Sequence, residues 1–244
     1  MAPGIMLVNA VPKAGKTVAV AALAGCLKES GFQVQAVKPV DIYGALQAPP
    51  DYNHDQRFID SVLNPMQSFE TVVLPTPSEF NPLLWKRLIE QLSNAPYPLL
   101  LESVSTVASA FRYPTETPHG SAHAVIDAVD LARLLNLKII LVTPKSHHLY
   151  ADLAPAIAYL AQRHERALAW IAVGNTPESD LIDPMEWEQA SLMIAHDYQL
   201  PCFGEIAYSA SISVENLQQG NLLRQTENGI DFLPLQQAMA FALI

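Results

Sequence analysis

The stretch Ile5-Met-Leu-Val-Asn-Ala-Val-Pro-Lys-Ala-Gly-Lys-Thr17 decides the fold that this sequence predicts. Its first part, Ile5 to Asn9, is a short apolar run without alternation, typical of a strand buried on both faces. A helical pattern follows from Thr17 to Lys28, and Gly31 is placed to end that helix in the left-handed conformation. A second strand is predicted over Gln33 to Val40, so the chain opens with the strand–helix–strand unit of a parallel sheet.

The loop between this strand and this helix has the composition of a phosphate-binding loop. Its end, Gly15-Lys16-Thr17, is the core of a Walker A motif. The backbone N–H groups of Lys13, Ala14 and Gly15, together with the helix dipole, favour an anion at this point. Lys16 is expected to neutralise the β- and γ-phosphate charge, and the Thr17 hydroxyl to reach magnesium. The sequence therefore predicts ATP and Mg²⁺ as cofactors.

The loop lacks the first glycine of the usual motif. Standard spacing places that glycine at Ala10, and a loop one residue longer places it at Asn9. Because asparagine tolerates the left-handed conformation better than most residues, we expect Asn9 to preserve the turn.

The rest of the chain alternates strands and helices, as in a single P-loop domain spanning residues 1–244. The fold class predicted is α/β, a mostly parallel sheet of about seven strands with helices on both faces. Loops are predicted at the proline clusters 48–50, 75–82, 96–98 and 114–118. The further strands are predicted at Phe69 to Leu74, Tyr97 to Leu101, Lys138 to Thr143, Ala167 to Val173 and Cys202 to Ile206. The further helices are predicted at Pro82 to Leu92, Ala122 to Leu135, Leu149 to Arg163, Met185 to His196 and Leu233 to Leu243.

Composition narrows the classes of partner. The formal net charge is −10, so the overall field repels nucleic acid and anionic membranes. No run approaches the ~18 apolar residues of a membrane span, and no basic leader is visible, so we expect a cytoplasmic protein. Two scattered cysteines, Cys26 and Cys202, are expected to be buried free thiols.

Charged side chains follow several predicted strands, where ligands of parallel sheets bind. Lys38 lies near the end of the second strand, where a lysine either reaches the γ-phosphate or an acidic substrate or is simply a surface lysine. Glu102 ends an apolar strand in the manner of a Walker B carboxylate, which holds magnesium directly or through water. By spacing alone, Asp55 is more typical of a helix N-cap. Lys145 lies in the loop after Thr143, beside His147 and His148, and such residues are more often solvated than catalytic.

These motifs together resemble the dethiobiotin synthetase family, within the group that includes the ATPase domains of cobyrinic and cobyric acid synthases. The family loop G-T-D-T-x-V-G-K-T is similar in register to Asn9 through Thr17. The other matching segments are Lys38-Pro39-Val40, Asp55 in its polar segment, Leu99 to Glu102, Ile139 to Val142 with Lys145 after it, and Phe203 to Ala207.

The resemblance implies roles for these residues. It places magnesium between Thr17, Asp55 and Glu102, and the transferred phosphoryl group and a carbamate between Lys16 and Lys38. It also implies a catalytic role for Lys145 and adenine contacts from Asn175 and Glu205.

The implied reaction is ATP-driven ring closure of diaminopelargonic acid by a homodimer, through a phosphorylated carbamate.

The substrate side departs from the family pattern. The family's E-G-A-G-G is Glu102-Ser-Val-Ser-Thr106 here, without the glycines that let backbone amides approach the substrate. Three hypotheses therefore stand: a divergent dethiobiotin synthetase, another ligase or kinase on the same scaffold, and a nucleotide-dependent switch that is not an enzyme.

Overall fold

The computed structural model describes residues 4–42, 54–63, 72–74, 82–108, 111–117 and 120–240. Within them the strands are β1 (Gly4–Asn9), β2 (Gln35–Val37), β3 (Val40–Ile42), β4 (Val72–Leu74), β5 (Leu99–Thr106), β6 (Phe111–Thr117), β7 (Gly120–Ile126), β8 (Leu137–Pro144), β9 (Ala167–Val173) and β10 (Cys202–Ile206). The helices are α1 (Lys16–Glu29), α2 (His54–Leu63), α3 (Pro82–Ser93), α4 (Ala128–Leu134), α5 (Leu149–Gln162), α6 (Pro184–Tyr198), α7 (Leu222–Gly229) and α8 (Phe232–Ala240). A short 3-10 helix spans Pro177–Leu181.

The first strand lies inside a parallel sheet of six strands, in the order β10-β9-β8-β1-β5-β2. β1 pairs in parallel with β5 on one side and with β8 on the other. Because all six strands are parallel, their carboxyl ends meet at one edge, where β1 runs into the loop before α1. The predicted α/β class is confirmed, with six strands in this sheet rather than about seven.

Helices cover both faces of the sheet. Alternate residues of β1 show this division: Ile5 and Leu7 pack toward α1, α2, α7 and α8. Met6 and Val8 pack toward α3, α4, α5 and α6. These strand residues are all fully buried, which explains why the strand reads as a continuous apolar run.

Helix α1 is enclosed on every side. Its residues from Ala19 to Leu27 are all buried. A Cβ added at Gly25 would lie 2.4 Å from Leu223 and 3.0 Å from Val62, so α7 and α2 press on the helix at this point. The helix that carries Lys16 and Thr17 is thus the centre of one core layer, which fixes the position of the loop before it.

The predicted strand from Gln33 to Val40 is wrong as a single strand. β2 ends at Val37, and β3 resumes at Val40 in a separate two-stranded parallel sheet with β4. The break falls at Lys38-Pro39, because proline has no N–H to donate to a ladder. Lys38 therefore leaves the main sheet at its edge, beside the end of β5.

The predicted helix from Ala122 to Leu135 and the predicted loop over 114–118 are also wrong in part. Residues 111–117 and 120–126 pair as antiparallel strands, β6 with β7, and α4 starts only at Ala128. The Asp127 side chain accepts a hydrogen bond from the Asp130 N–H at 2.9 Å and caps the helix there. Proline is compatible with a two-stranded ribbon, since each strand has a free edge.

Other differences are small. Helix α7 was not predicted. Strand β5 extends to Thr106, beyond the predicted Leu101, while β9 and β10 have the predicted bounds. The prolines at 48–50 and 75–81 lie outside the described residues, as do Phe69 to Thr71 and the last four residues of the chain.

Asp127 anchors a polar cluster beneath the sheet. It is 2% exposed and accepts hydrogen bonds from the Asp130 N–H, the Tyr159 hydroxyl and the Arg163 guanidinium. Replacing it with alanine removes a helix cap and leaves an arginine without its buried partner. We expect Asp127→Ala to lower the free energy of unfolding by about 3 kcal/mol, measured by urea denaturation.

The matched control for this substitution is Glu90→Ala. Glu90 is 59% exposed and pairs with the exposed Lys86, so its loss is expected to cost less than about 0.5 kcal/mol. An equal loss of stability in the two variants would contradict the role given to Asp127.

The two cysteines are free. Burial raises the pKa of Cys26 to about 12 and that of Cys202 to about 11, so both thiols stay protonated at neutral pH. Cys202 is only half-buried, which differs from the expectation. No helix among the described residues is long and apolar enough to cross a membrane.

Candidate active site

The loop between β1 and α1 turns at positions other than the one expected. Its residues with positive φ are Lys13, at 59°, and Gly15, at 93°. Asn9 instead ends β1 in register with Val142 of β8 and Thr106 of β5. The expectation that Asn9 takes the left-handed conformation of a missing glycine is therefore wrong, because the strand simply continues through it.

Gly15 is required at the start of α1 for two reasons. Its φ of 93° disfavours any side chain. A Cβ at this position would also lie 2.7 Å from Val173 Cγ1, so β9 closes the space beside the loop. The Gly15 carbonyl accepts the first helical hydrogen bond, from the Ala19 N–H at 3.0 Å. The loop is thus held tightly where Lys16 and Thr17 enter the helix.

Gly15→Ala is expected to lower the free energy of unfolding by about 1–3 kcal/mol more than Gly31→Ala. Gly31 is the matched control, because it has a φ of 80° but nothing within 4 Å of an added Cβ. The difference between the two variants in urea denaturation isolates the clash with Val173 from the backbone cost. Equal losses would mean that Val173 moves aside freely.

Two lysines and two carboxylates meet at the carboxyl edge of the sheet. Glu102, in β5, is 2% exposed and lies beside β1 and next to the end of β2. Its Oε1 accepts a hydrogen bond from the Thr17 hydroxyl at 3.1 Å. The same oxygen lies 3.9 Å from Lys16 Nζ and 3.8 Å from Lys38 Nζ. Lys38 also pairs directly with Asp55. The sequence-predicted residues Lys16, Thr17, Lys38, Asp55 and Glu102 therefore form one cluster.

Helix α2 brings Asp55 to this cluster. The helix begins at His54, so Asp55 lies in its first turn rather than before it, unlike an N-cap. The next residue, Gln56, fixes the helix to the end of β2. Its side-chain carbonyl accepts from the Lys38 N–H at 2.7 Å, and its amide donates to the Ala36 carbonyl at 3.4 Å. Sequence analysis missed Gln56, and the signal available was a polar residue on the apolar side of an otherwise amphipathic helix.

Burial and charge oppose each other at Glu102. Burial has the largest effect and raises the pKa of the carboxyl, and the nearby Asp55 raises it further. The charges of Lys38 and Lys16 and the hydrogen bond from Thr17 lower it. The net pKa lies above the usual range. Its second oxygen, Oε2, is buried without a hydrogen-bond partner. A buried acceptor without a partner is costly, so this oxygen is suited to a cation or its water shell.

The cluster meets the chemical requirements of a magnesium ion. Mg²⁺ prefers oxygen ligands and is usually held by one or two carboxylates, with the rest of its shell from water and phosphates. Asp55 and Glu102 supply the carboxylates and Thr17 the hydroxyl. Across the described ranges, no group of three or more His, Cys, Asp or Glu side chains could hold a metal by itself. This ligand set fits a phosphate-bound Mg²⁺ rather than an all-protein cage.

Lys145 lies in a second group at the same edge. Its ammonium donates to Glu205 Oε1 at 2.9 Å and lies 5.6 Å from the ring centre of Trp187. Glu205 belongs to β10, so this pair spans the ends of β8 and β10, whereas the Glu102 cluster spans β1, β2 and β5. The structure thus pairs Lys145 with Glu205, the residue that the resemblance assigned to adenine.

Asn175 contacts the phosphate loop itself. Its side-chain amide donates to the Lys13 carbonyl at 2.8 Å, and Lys13 has a φ of 59°. Asn175 follows β9, so this hydrogen bond ties the loop to the strand end where an adenine contact was expected. His147 pairs with the exposed Glu186 at 3.3 Å, and His148 precedes α5, so the two rings serve separate elements.

Solved structures show which fold these elements form. The chain is similar to the MinC:MinD cell division protein complex of Aquifex aeolicus, with 14% identity and a TM-score of 0.52 over 100% of this chain and 94% of that one. The fold is that of the P-loop NTPases.

Two further structures are less similar. MinD of Pyrococcus horikoshii, complexed with Mg-ADP, has 19% identity and a TM-score of 0.48 over 99% of this chain and 94% of that one. Cobyrinic acid a,c-diamide synthase of Mycobacterium smegmatis, with ADP and magnesium, has 15% identity and a TM-score of 0.44 over 89% and 91%. No protein-family model matches the chain, and no curated protein matches it significantly. The likeness to the Aquifex aeolicus complex supports the P-loop NTPase fold and not the dethiobiotin synthetase family in particular.

In this P-loop NTPase fold, the segment after Glu102 continues as a strand. β5 runs on to Thr106, with an irregularity in its pairing to β1, and the Val107 N–H donates to the Asn9 carbonyl at 3.1 Å. The hairpin β6–β7 follows at once. The residues that the resemblance aligned with the glycine-rich turn of the dethiobiotin synthetases are therefore strand in this chain.

Proposed function

We propose that this chain is a Mg-ATP-dependent enzyme that transfers the γ-phosphoryl group to a carboxylate or carbamate, as dethiobiotin synthetases do. The observation that supports this most is the pair of lysines around Glu102 Oε1. Lys16 is 6% exposed and Lys38 is 5% exposed, and their ammonium groups lie 3.9 and 3.8 Å from that one oxygen. One lysine suffices to hold a nucleotide, whereas a second buried cation suits an anionic acceptor.

Each residue of the cluster has a defined task in this proposal. The loop N–H groups and Lys16 bind the phosphates, and Lys38 holds the acceptor anion and offsets the charge that develops as the phosphoryl group moves. Thr17, Asp55 and Glu102 would hold Mg²⁺, which neutralises and orients the phosphates when bound. No protein nucleophile is needed, because phosphoryl transfer depends mainly on positioning and charge.

The finer proposal is dethiobiotin formation. Carbon dioxide and one amine of diaminopelargonic acid give a carbamate, ATP phosphorylates the carbamate oxygen, and the second amine displaces inorganic phosphate to close the ring. The matches at Lys38, Asp55 and Glu102 support this reaction, and it would proceed in a homodimer with a small-molecule substrate. Lys145 and Glu205 would lie toward the base of the nucleotide.

A second candidate is a ligase or kinase of the same fold with another acceptor, or a nucleotide-dependent switch. The continuation of β5 to Thr106 favours this alternative, because the backbone amides from 103 to 106 lie in or beside a ladder rather than in an open turn.

The test is ATP turnover by the purified protein with and without diaminopelargonic acid and bicarbonate, scored for ADP and dethiobiotin. Lys38→Met is expected to lower product formation by about 100-fold while Mg-ATP still binds, because Lys38 serves the acceptor. Lys86→Met, at a position 74% exposed, is the control and should leave turnover unchanged.

The outcomes separate the candidates. ADP formed together with dethiobiotin supports the finer proposal. ADP released only with another carboxylate or amine supports the second candidate. Binding of Mg-ATP with turnover that Lys38→Met does not affect would contradict phosphoryl transfer to an anionic acceptor at this cluster.

A further inference from the structure

Helix α6 presents large apolar side chains to solvent. Met185 is 68% exposed, Leu192 is 62% exposed and Met193 is 56% exposed. Leu181, at the end of the 3-10 helix just before α6, is 79% exposed. We call these four residues the α6 face. They are half of the eight large apolar side chains that are exposed in the described part of the chain.

Helix geometry places Met185 and Leu192 on one side of α6, with Met193 rotated about 100° from Leu192. Met185 and Leu192 are seven residues apart, which is almost two full turns, so they point the same way. Ile194 of the same helix is fully buried and packs into the core below. The side of the helix that faces the core is thus apolar, and the side that faces solvent also carries large apolar side chains. Those exposed side chains do not contribute to packing α6 against the core. Large exposed apolar side chains that share one side of a helix, here beside the polar Glu188 and Gln189, are typical of an interaction surface.

Negative charge surrounds the α6 face. Five exposed acids lie within or beside it: Glu178, Asp180, Asp183, Glu186 and Glu188. The sequence contains no lysine or arginine between Arg166 and Arg224, so no basic side chain from this long segment offsets them. Glu186 contacts the His147 ring, with Oε1 3.3 Å from Nδ1.

The charge selects the kind of partner. Two copies of the α6 face would place acid against acid, which costs free energy at any interface. An anionic membrane or a nucleic acid meets the same repulsion. Exposed methionines adapt their shape to varied apolar partners. The complement of an acidic, methionine-containing helix face is a helix with apolar residues at positions i, i+3 or i+4 and i+7 and basic residues beside them.

We propose that the α6 face is the docking site for a basic amphipathic helix of another protein. The face lies on α6, on the side of the sheet opposite to α1, so its occupation leaves Lys16 and Thr17 in place. The inference does not rest on the proposed function, and its test does not use ATP.

The test measures binding of a fluorescein-labelled synthetic helix of 18 residues, with leucine at the apolar positions and lysine elsewhere, by fluorescence anisotropy. The native protein is expected to bind it with a Kd of about 1–10 μM. Leu181→Ser, Met185→Ser, Leu192→Ser and Met193→Ser combined should weaken binding at least about tenfold. These side chains are exposed, so the variant should fold, which circular dichroism checks.

Three controls separate this surface from general acidity. Leu134→Ser with Leu233→Ser changes two exposed apolar residues elsewhere, at 44% and 61% exposure, and should leave the Kd within about twofold. Glu186→Gln with Glu188→Gln should weaken binding severalfold. Glu29→Gln with Glu90→Gln, which removes the same charge outside the α6 face, should not. A peptide of the same composition in shuffled order, without an apolar stripe, should bind about tenfold less tightly.

The proposal is overturned by any of three results. The first is that the native protein does not bind the peptide at about 100 μM, the second that the four-serine variant binds it equally well, and the third that the control variants lose as much affinity as the four-serine variant.

Sedimentation analysis gives a separate contradicting result. A native dimer that the four serines convert to monomers would show that a second copy occupies the α6 face.

Discussion

Lys16→Ala is expected to lower the rate of ATP turnover by about a thousandfold. Lys16 is the buried cation at the start of α1, and its ammonium lies 3.9 Å from Glu102 Oε1. In the proposed function, its removal takes away the charge that would neutralise the phosphates, while the loop N–H groups assigned to bind them remain. Because those N–H groups are unchanged, binding of Mg-ATP should weaken less than turnover. Steady-state kinetics and a binding titration on the same preparation measure the two effects.

The matched control is Lys86→Ala. Lys86 is 74% exposed on α3 and pairs with Glu90, an exposed glutamate at the next helical turn. Its turnover should equal that of the native protein. A Lys16→Ala protein that retains more than about a tenth of native turnover would show that phosphoryl chemistry, if present, occurs elsewhere.

Glu102→Gln is expected to lower magnesium-dependent turnover by about 100-fold or more. The same substitution is expected to make the nucleotide-free protein more stable at neutral pH. Turnover falls because a neutral amide replaces a carboxylate that we assign to Mg²⁺. Stability rises because burial, the largest influence on this carboxyl, raises its pKa despite Lys38 and Lys16 nearby. The ionised form therefore costs folding free energy when no ligand is bound. Lys38 keeps its pairing with Asp55 in the variant.

The sign of the pH dependence follows from the same shift. The pKa of Glu102 in the folded protein lies above its ordinary value of 4.5, so the folded state holds this proton more tightly than the unfolded state. The contribution of Glu102 to stability is therefore full below pH 4.5 and declines as the pH rises through the folded-state pKa. Thermal unfolding of both proteins from about pH 4 to 8 should show the native protein losing stability relative to Glu102→Gln. A variant less stable than the native protein at neutral pH would mean that the lysines outweigh burial.

The parts of the fold that local chemistry determines were predictable from the sequence. β1, α1, β9 and β10 have the predicted bounds to within a residue or two, because their apolar runs and caps all favour the same structure. The approach of Lys38 and Glu102 was predictable for a similar reason. Residues that end neighbouring parallel strands meet at one edge of the sheet. Their roles, and those of Lys145, Asn175 and Glu205, stay predictions.

The errors come from interactions between segments that are distant in sequence. The antiparallel pair β6–β7 joins two stretches, 111–117 and 120–126, whose composition allowed loop or helix. Each becomes a strand only by pairing with the other. The contact of Asn175 with the Lys13 carbonyl joins residues 162 apart along the chain. The conformation of Asn9 was misjudged because pairing with β5 and β8 decides it, and the loop sequence does not show that pairing.

The enclosure of α1 has a consequence for the exchange of backbone amide hydrogens with solvent. A helix with nine consecutive buried residues, from Ala19 to Leu27, has no side from which to open without disrupting the core. Its amides should therefore exchange through unfolding of the whole core layer, and among the slowest in the chain. α2, which carries Asp55 and has an exposed side, can open separately. The loop before α1 is thus anchored on the part of the protein that opens last. Asp55, one of the two carboxylates of the cluster beside that loop, lies on α2, which opens earlier.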